Sequence, residues 1–153
     1  MTWLLYIIPY QYIIPPIVAC FLAQALKIVL PLLEGKPPRW YKFFETGGMP
    51  SSHSAMVMAL LTVVAINNGV SSSLFGVTMV FSLIVMYDAS GVRQSVGKHA
   101  RVLNKLIAHL KANEKLDFDN DILEKNLKES LGHTILEVLG GALVGIIVAL
   151  LIR

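Results

Sequence analysis

The apolar positions fall into long runs, and their period and punctuation predict helices. Between residues 12 and 33 only Gln24 and Lys27 interrupt an apolar stretch long enough to cross a bilayer, and Pro15 and Pro16 lie near its start, where a missing amide donor costs least. Pro31, Gly35, Pro37 and Pro38 end this first span and lead into a short polar loop with Lys36, Arg39 and Lys42, where Trp40 and Tyr41 suit an interfacial belt. A second apolar helix is expected over about 51–68 and a third over about 70–87, joined by a turn at Asn67-Asn68-Gly69. Their most apolar cores, 55–66 and 74–87, are short enough that a re-entrant hairpin competes with two full crossings. In the polar stretch 88–133, Val96, Leu103, Leu106, Ile107 and Leu110 recur at helical spacing with Lys98, Arg101, Lys105 and Lys111 between them, which predicts an amphipathic helix at the membrane surface. The acidic stretch 114–124 follows. A last span is expected over 135–152, where Gly141 and Gly145 form a GxxxG element that lets another helix approach closely, within the chain or across a homodimer. The expected fold is therefore an all-α integral membrane bundle of about four membrane helices plus one amphipathic surface helix.

Composition sharpens this reading. Of 153 residues, 55% are hydrophobic and 15% charged, against about 45–50% and about 25% in a soluble domain. Fifteen of the 23 charges lie within 88–133, leaving no room for a separate soluble domain, so residues 1–153 read as a single membrane domain. The net charge of +3 is not a nucleic-acid footprint, because the basic residues are mixed with acidic ones and not gathered beside stacking aromatics. Cys20 stands alone, which excludes a disulfide within the chain and a cysteine-based zinc site. The first residues carry no basic segment and do not resemble a cleaved signal peptide. The segments 34–53 and 88–133 hold 11 of the 13 Lys and Arg residues, which places both in the cytoplasm and the N-terminus outside.

Chemistry concentrates in two motifs. In Gly47-Gly48-Met49-Pro50-Ser51-Ser52-His53-Ser54, the glycines permit an unusual backbone path and Pro50 suits a first helical turn. The amides of Ser51, Ser52 and His53 would then form an anion site at a positive helix end, with a proton-transferring imidazole beside it. A serine-capped helix start is the plainer alternative. In the second motif His133 and Glu137 are four apart, so on a helix they share a face, and a carboxylate-backed imidazole is a competent nucleophile or base. Glu137 reads otherwise as an interfacial residue with its head in water. Lys27 either joins the same site or snorkels to the interface. Arg93 suits bidentate phosphate contact, and Asp88 either holds Arg93 or Lys27 or caps a helix. His99 and His109 have no ligand-type partners at helical spacing, and no metal site is expected.

Pro50-Ser51-Ser52-His53 resembles the Pro-Ser-Gly-His signature of the type-2 phosphatidic acid phosphatase superfamily, which includes the vanadium-dependent haloperoxidases. Gly132-His133 with Glu137 and Gly140-Gly141 resembles its final motif. Together with Met86-Tyr87-Asp88-Ala89-Ser90-Gly91-Val92-Arg93, these segments look like a small divergent bacterial and plant branch, over residues 24–145. By that resemblance His133 attacks phosphorus to give a phosphohistidine, Glu137 orients it, His53 protonates the leaving oxygen, and no metal or other cofactor is required. Lys27, Arg39, Ser51, Ser52, Asp88 and Arg93 are the expected substrate-binding residues. The family's first motif spaces Lys and Arg more closely than Lys27 and Arg39, and where it has Arg six residues before the nucleophile this chain has Leu127. Arg93 is the candidate replacement.

The expectation is a lipid phosphate phosphatase in a bacterial cytoplasmic membrane, with its site facing the cytoplasm. A prenyl diphosphate phosphatase, or a non-catalytic membrane protein that binds phospholipid head groups, is the alternative.

Overall fold

A computed structural model describes residues 10–33, 35–38, 40, 43, 47–112, 127 and 132–152. The described residues form five helices: α1 (Tyr10–Leu33), α2 (Ser52–Asn68), α3 (Ser73–Ser90), α4 (Val92–Ala112) and α5 (Ile135–Ile152). The acidic stretch 114–124, Arg39 and Lys128 lie outside the described residues. α1, the stretch Ser73–Leu110 containing α3, and α5 are each long and apolar enough to cross a membrane, whereas α2 is a shorter apolar helix of 17 residues. α4 is the amphipathic helix, one turn longer at its start than the hydrophobic spacing indicated.

Ser51 caps α2 by accepting the Ser54 amide at 3.3 Å, and Gly69 ends it with φ +80°. Ser72 caps α3 through the Phe75 amide at 3.1 Å, so the connection after Asn68 is a short Gly-to-Ser link between two capped helices. Pro50 stands just before the cap and not in the first turn, a correction to the expected position.

α2 is the hub, packed against α1, α3 and α5. The core consists of small residues: Ala19 and Ala23 of α1, Ala55, Ala59 and Val63 of α2, Val148 and Ala149 of α5. Large side chains such as Phe21, Phe81 and Leu143 point outward. This inverts the pattern of a soluble bundle and is what lipid selects, because apolar side chains gain nothing by leaving hydrocarbon for a protein core and helices associate where small residues let backbones close in.

The α2–α5 contact shows the close approach most clearly. A Cβ on Gly141 would overlap the Ser51 carbonyl, and one on Gly145 would overlap the Ala55 carbonyl. The pairing of 51 with 141 and 55 with 145 shows that α2 and α5 run parallel. Tyr12 at the start of α1 bonds Asn68 at the end of α2 at 2.7 Å, and Ser82 of α3 donates to the Val57 carbonyl at 3.3 Å, which sets α1 and α3 antiparallel to α2. The GxxxG face is thus occupied by α2 within the chain, and the homodimer expected through it loses its surface.

Gly145→Ala should therefore destabilise the protein by an amount typical of overpacking, about 1–3 kcal/mol, and lower its melting temperature in detergent. Gly140→Ala, whose new methyl presses on the flexible end of Met49 and touches Pro50 at ordinary contact distance, should melt within a degree or two of the wild type. Equal melting of the two variants would contradict the assigned α2–α5 interface.

Candidate active site

Because α1 and α3 run against α2 and α5, one end of the bundle collects the last turns of α1 and α3 and the first turns of α2 and α5. Two positive helix ends converge there. The Ser51 amide donates to the Glu137 carbonyl at 2.9 Å, tying the two starts together. His53, in the first turn of α2, and His133, just ahead of α5, then face each other with ring centroids 6.1 Å apart and planes at 65°.

His133 is the most tightly held group of the site. Its side chain is 1% exposed. The His133 amide donates to the Ala89 carbonyl at the end of α3 at 2.8 Å, and Gln94 at the start of α4 reaches the His133 carbonyl at 3.4 Å. Gly132 makes this docking possible: its φ is +86°, and a Cβ there would collide with the Gln94 backbone.

Nδ1 of His133 lies 3.3 Å from Oε2 of Glu137. The two residues do not share a helical face as expected, because α5 begins only at Ile135. Instead Thr134 and Glu137 form a capping box: the Thr134 amide donates to the same Oε2 at 2.9 Å, and the Glu137 amide donates to the Thr134 hydroxyl at 3.3 Å. The reach back toward the helix start carries the carboxylate to the imidazole. The signature Thr134-x-x-Glu137 ahead of an apolar run was readable in the sequence, and it is the signal that reasoning from a helical face alone misses.

With Nδ1 engaged, Nε2 of His133 is buried without a hydrogen-bond partner, and so is Nδ1 of His53. Burial holds His133 below its ordinary value of 6.5, and the Lys27 ammonium pushes it the same way; Glu137 and the Gly48 backbone oppose them. His133 therefore presents a neutral imidazole with a bare ring nitrogen at neutral pH.

The remaining candidates divide clearly. Lys27, 4% exposed, lies by Gly48, where a Cβ would sit 4.0 Å from its Cδ, and its charge acts on both histidines. Arg93 and Asp88 also act on His53 and pair with each other at 2.7 Å, the two side chains being 44% and 41% exposed. Asp88 thus takes the holding role toward Arg93. Ser51 is fully buried, with its amide on Glu137 and its hydroxyl accepting from the Ser54 amide and hydroxyl, so it organises the α2 start. The amides of Ser52 and His53 belong to the first turn, which offers no intrahelical acceptor.

Leu127 is clamped at its backbone by Asn104, with bonds of 2.9 and 3.0 Å. Asn104 is 11 residues along α4 from Arg93, about 16 Å at 1.5 Å per residue. Position 127 therefore sits well along α4, while Arg93 stands at the helix start beside His133. No group of three or more His, Cys, Asp and Glu comes together among the described residues.

The model of the divergent PAP2 family matches residues 9–148, and the chain belongs to this family. It is 42% identical over 139 residues to the uncharacterized membrane protein YuiD of Bacillus subtilis (strain 168), covering 88% of each chain. No solved structure matches it. The chain is an integral membrane protein, as its helices and this relative indicate.

A titration of the isotope-labelled histidines by NMR in detergent should find that His133 gains its proton below pH 6.5. Glu137→Gln, which removes the opposing carboxylate charge, should move it lower still, and Lys27→Met should move it up. A His133 that protonates at its ordinary value and ignores both substitutions would disprove the assigned surroundings.

Proposed function

We propose, with membership of the divergent PAP2 family as the premise, that the chain is a membrane-embedded lipid phosphate phosphatase that works through a phosphohistidine intermediate. The observation that carries the reading is the bare, buried Nε2 of His133, backed at Nδ1 by Glu137 and faced by His53.

The chemistry follows from that arrangement. Neutral His133 directs the Nε2 lone pair at phosphorus, and an N–P bond forms as the P–O bond to the lipid breaks. The electron pair leaves on oxygen, which takes a proton from His53. Glu137 stabilises the charge that develops on the His133 ring. Water then attacks the phosphohistidine, giving its proton to His53, and phosphate departs with His133 restored. Phosphoryl transfer asks mainly for positioning and for stabilisation of the phosphoryl oxygens. Lys27, Arg93 and the amides at the α2 start are the groups assigned to that task, and Ser52 and Arg39 belong to the same candidate set.

The split of basic residues supports a cytoplasmic position for this end of the bundle, in a bacterial membrane. The substrate is a phosphomonoester or diphosphate of a lipid, prenyl diphosphates included. The exposed Asp88–Arg93 pair favours a phosphate contact over a structural brace, because an ion pair so open to water contributes about 0–1 kcal/mol.

Phosphate release from lipid phosphates by purified protein, with chelator present, tests the assignment. His133→Ala should abolish both turnover and an acid-labile phosphoenzyme. His53→Ala should spare phosphoenzyme formation when the leaving group is good, since only the proton donor is lost. The acid limb of kcat/KM should lie below pH 6.5, where His133 gains its proton. An active His133→Ala protein would refute the mechanism.

Arg93→Lys keeps the charge and loses the planar fork. Turnover should fall about a hundredfold or more if Arg93 holds a phosphoryl oxygen. Near-normal activity in a folded protein would remove Arg93 from the site and return Lys27 and Arg39 to first consideration.

A further inference from the structure

α1 and α3 flank α2 on either side and scarcely meet each other. Between them lies a groove of about 340 Å³, floored by His53, Met56, Val57 and Leu60 of α2 and walled by α1 at Ile17 and α3 at Phe81. The α2 residues are spaced by three and four, so they form one stripe, and His53 heads it. From His53 to Leu60 the stripe runs about 10 Å into the apolar part of the bundle. The wall is hydrocarbon and aromatic, and among its described residues His53 carries the one imidazole.

His53 thus stands between His133 and the groove. One side of its ring faces His133, and its side chain also lines the groove. In an in-line displacement the leaving oxygen lies opposite the attacking Nε2, on the side of the acid that protonates it. Whatever is attached to that oxygen must continue past His53.

We propose that the groove between α1 and α3 receives the hydrocarbon chain of the leaving alcohol, so that the lipid enters sideways and is cleaved with its tail along the α2 stripe. The assignment rests on the phosphatase reading above and adds which part of the substrate is apolar and where it lies. The occupant is a single alkyl or prenyl chain, because the lining offers it contact on three helices and offers a polar group nothing beyond His53 and the Tyr12 hydroxyl, which is engaged with Asn68. The groove works by shape and placement, since a chain moving into it from the bilayer exchanges one hydrocarbon contact for another.

Two measurements on the full-length protein in detergent test this. In the first, kcat/KM is taken for butyl and dodecyl phosphate with wild type, Met56→Trp and Ile17→Trp. Both positions are partly exposed lining residues. Partition into detergent is common to all three proteins, so the dodecyl-to-butyl ratio reads the groove. It should fall about tenfold or more in each variant, the scale on which a displaced methylene or two is felt. In the second, dodecyl phosphate carrying a mid-chain diazirine is photolysed on the protein. Label should concentrate on Ile17, Met56, Leu60 and Phe81, should spare Leu143 on the outer face of α5, and should be displaced by dodecyl phosphate at lower concentration than by dodecanol, which has the chain without the phosphate.

Phosphate release with an unmoved ratio would overturn the groove and leave the phosphatase standing. Label spread evenly over outward-facing residues, or displaced equally by dodecanol, would overturn it as well. Groove labelling that dodecyl phosphate displaces, in a protein that releases no phosphate, would support the groove and sink the hydrolytic reading instead.

Discussion

The arrangement depends on one contact, the parallel meeting of the α2 and α5 starts. Parallel neighbours separated in sequence by α3 and α4 are not brought together by a short loop, so something must hold them in register. Gly141 and Gly145 let α5 lie directly on the α2 backbone, and the Ser51 amide bonded to the Glu137 carbonyl fixes the axial position. That register decides which residues of α2 stand opposite which residues of α5. Moving α5 by one turn, about 5.4 Å, would place His133 beyond reach of His53. The two glycines are therefore part of the site, although neither has a functional group.

The same contact explains why this end of the bundle suits an anion. Parallel helices put two positive ends side by side, an arrangement that repels in the absence of a negative partner. Glu137 meets part of that demand at the α5 start through the capping box. At the α2 start the first-turn amides of Ser52 and His53 have no intrahelical acceptor. A membrane makes such a site worth more, because interactions with fixed donors strengthen where water is excluded.

Much of this was legible in the chain, for reasons that can be named. α1 and α5 were readable because long apolar runs in a bilayer have few alternatives to helix. α2 and α3 were readable because Asn67-Asn68-Gly69 supplied a break between them. His53 and His133 stood out because each sits in a motif with a partner, the glycine-led helix start beside His53 and Glu137 four residues from His133. The register was not legible: Gly141 and Gly145 predicted a close neighbour without saying whether it was α2 or a second copy, and only the packing settles that. The position of Pro50 before the cap was likewise a property of the turn as a whole. The place of Leu127 depended on Asn104, 23 residues away, a pairing that no local pattern announces.

Glu137 shows why sequence patterns and chemistry are easily confused at such sites. Its spacing from His133 fits an i,i+4 pair on a helix, and the same spacing places it third in a capping box with Thr134. The structure satisfies both with one oxygen, since Oε2 accepts the Thr134 amide and lies 3.3 Å from the His133 ring. Removing the side chain would therefore disturb the α5 start and the histidine together, and a loss of function alone would say nothing about which mattered. Glu137→Gln separates them, because a glutamine oxygen still serves as the capping acceptor while the charge that supports His133 is gone. Thr134→Ala is its counterpart: it removes the hydroxyl half of the box, worth about 1 kcal/mol, and leaves the carboxylate in reach of the ring. The carboxylate belongs to the chemistry to the extent that these two changes part company, one moving the titration of His133 and the other the stability of α5.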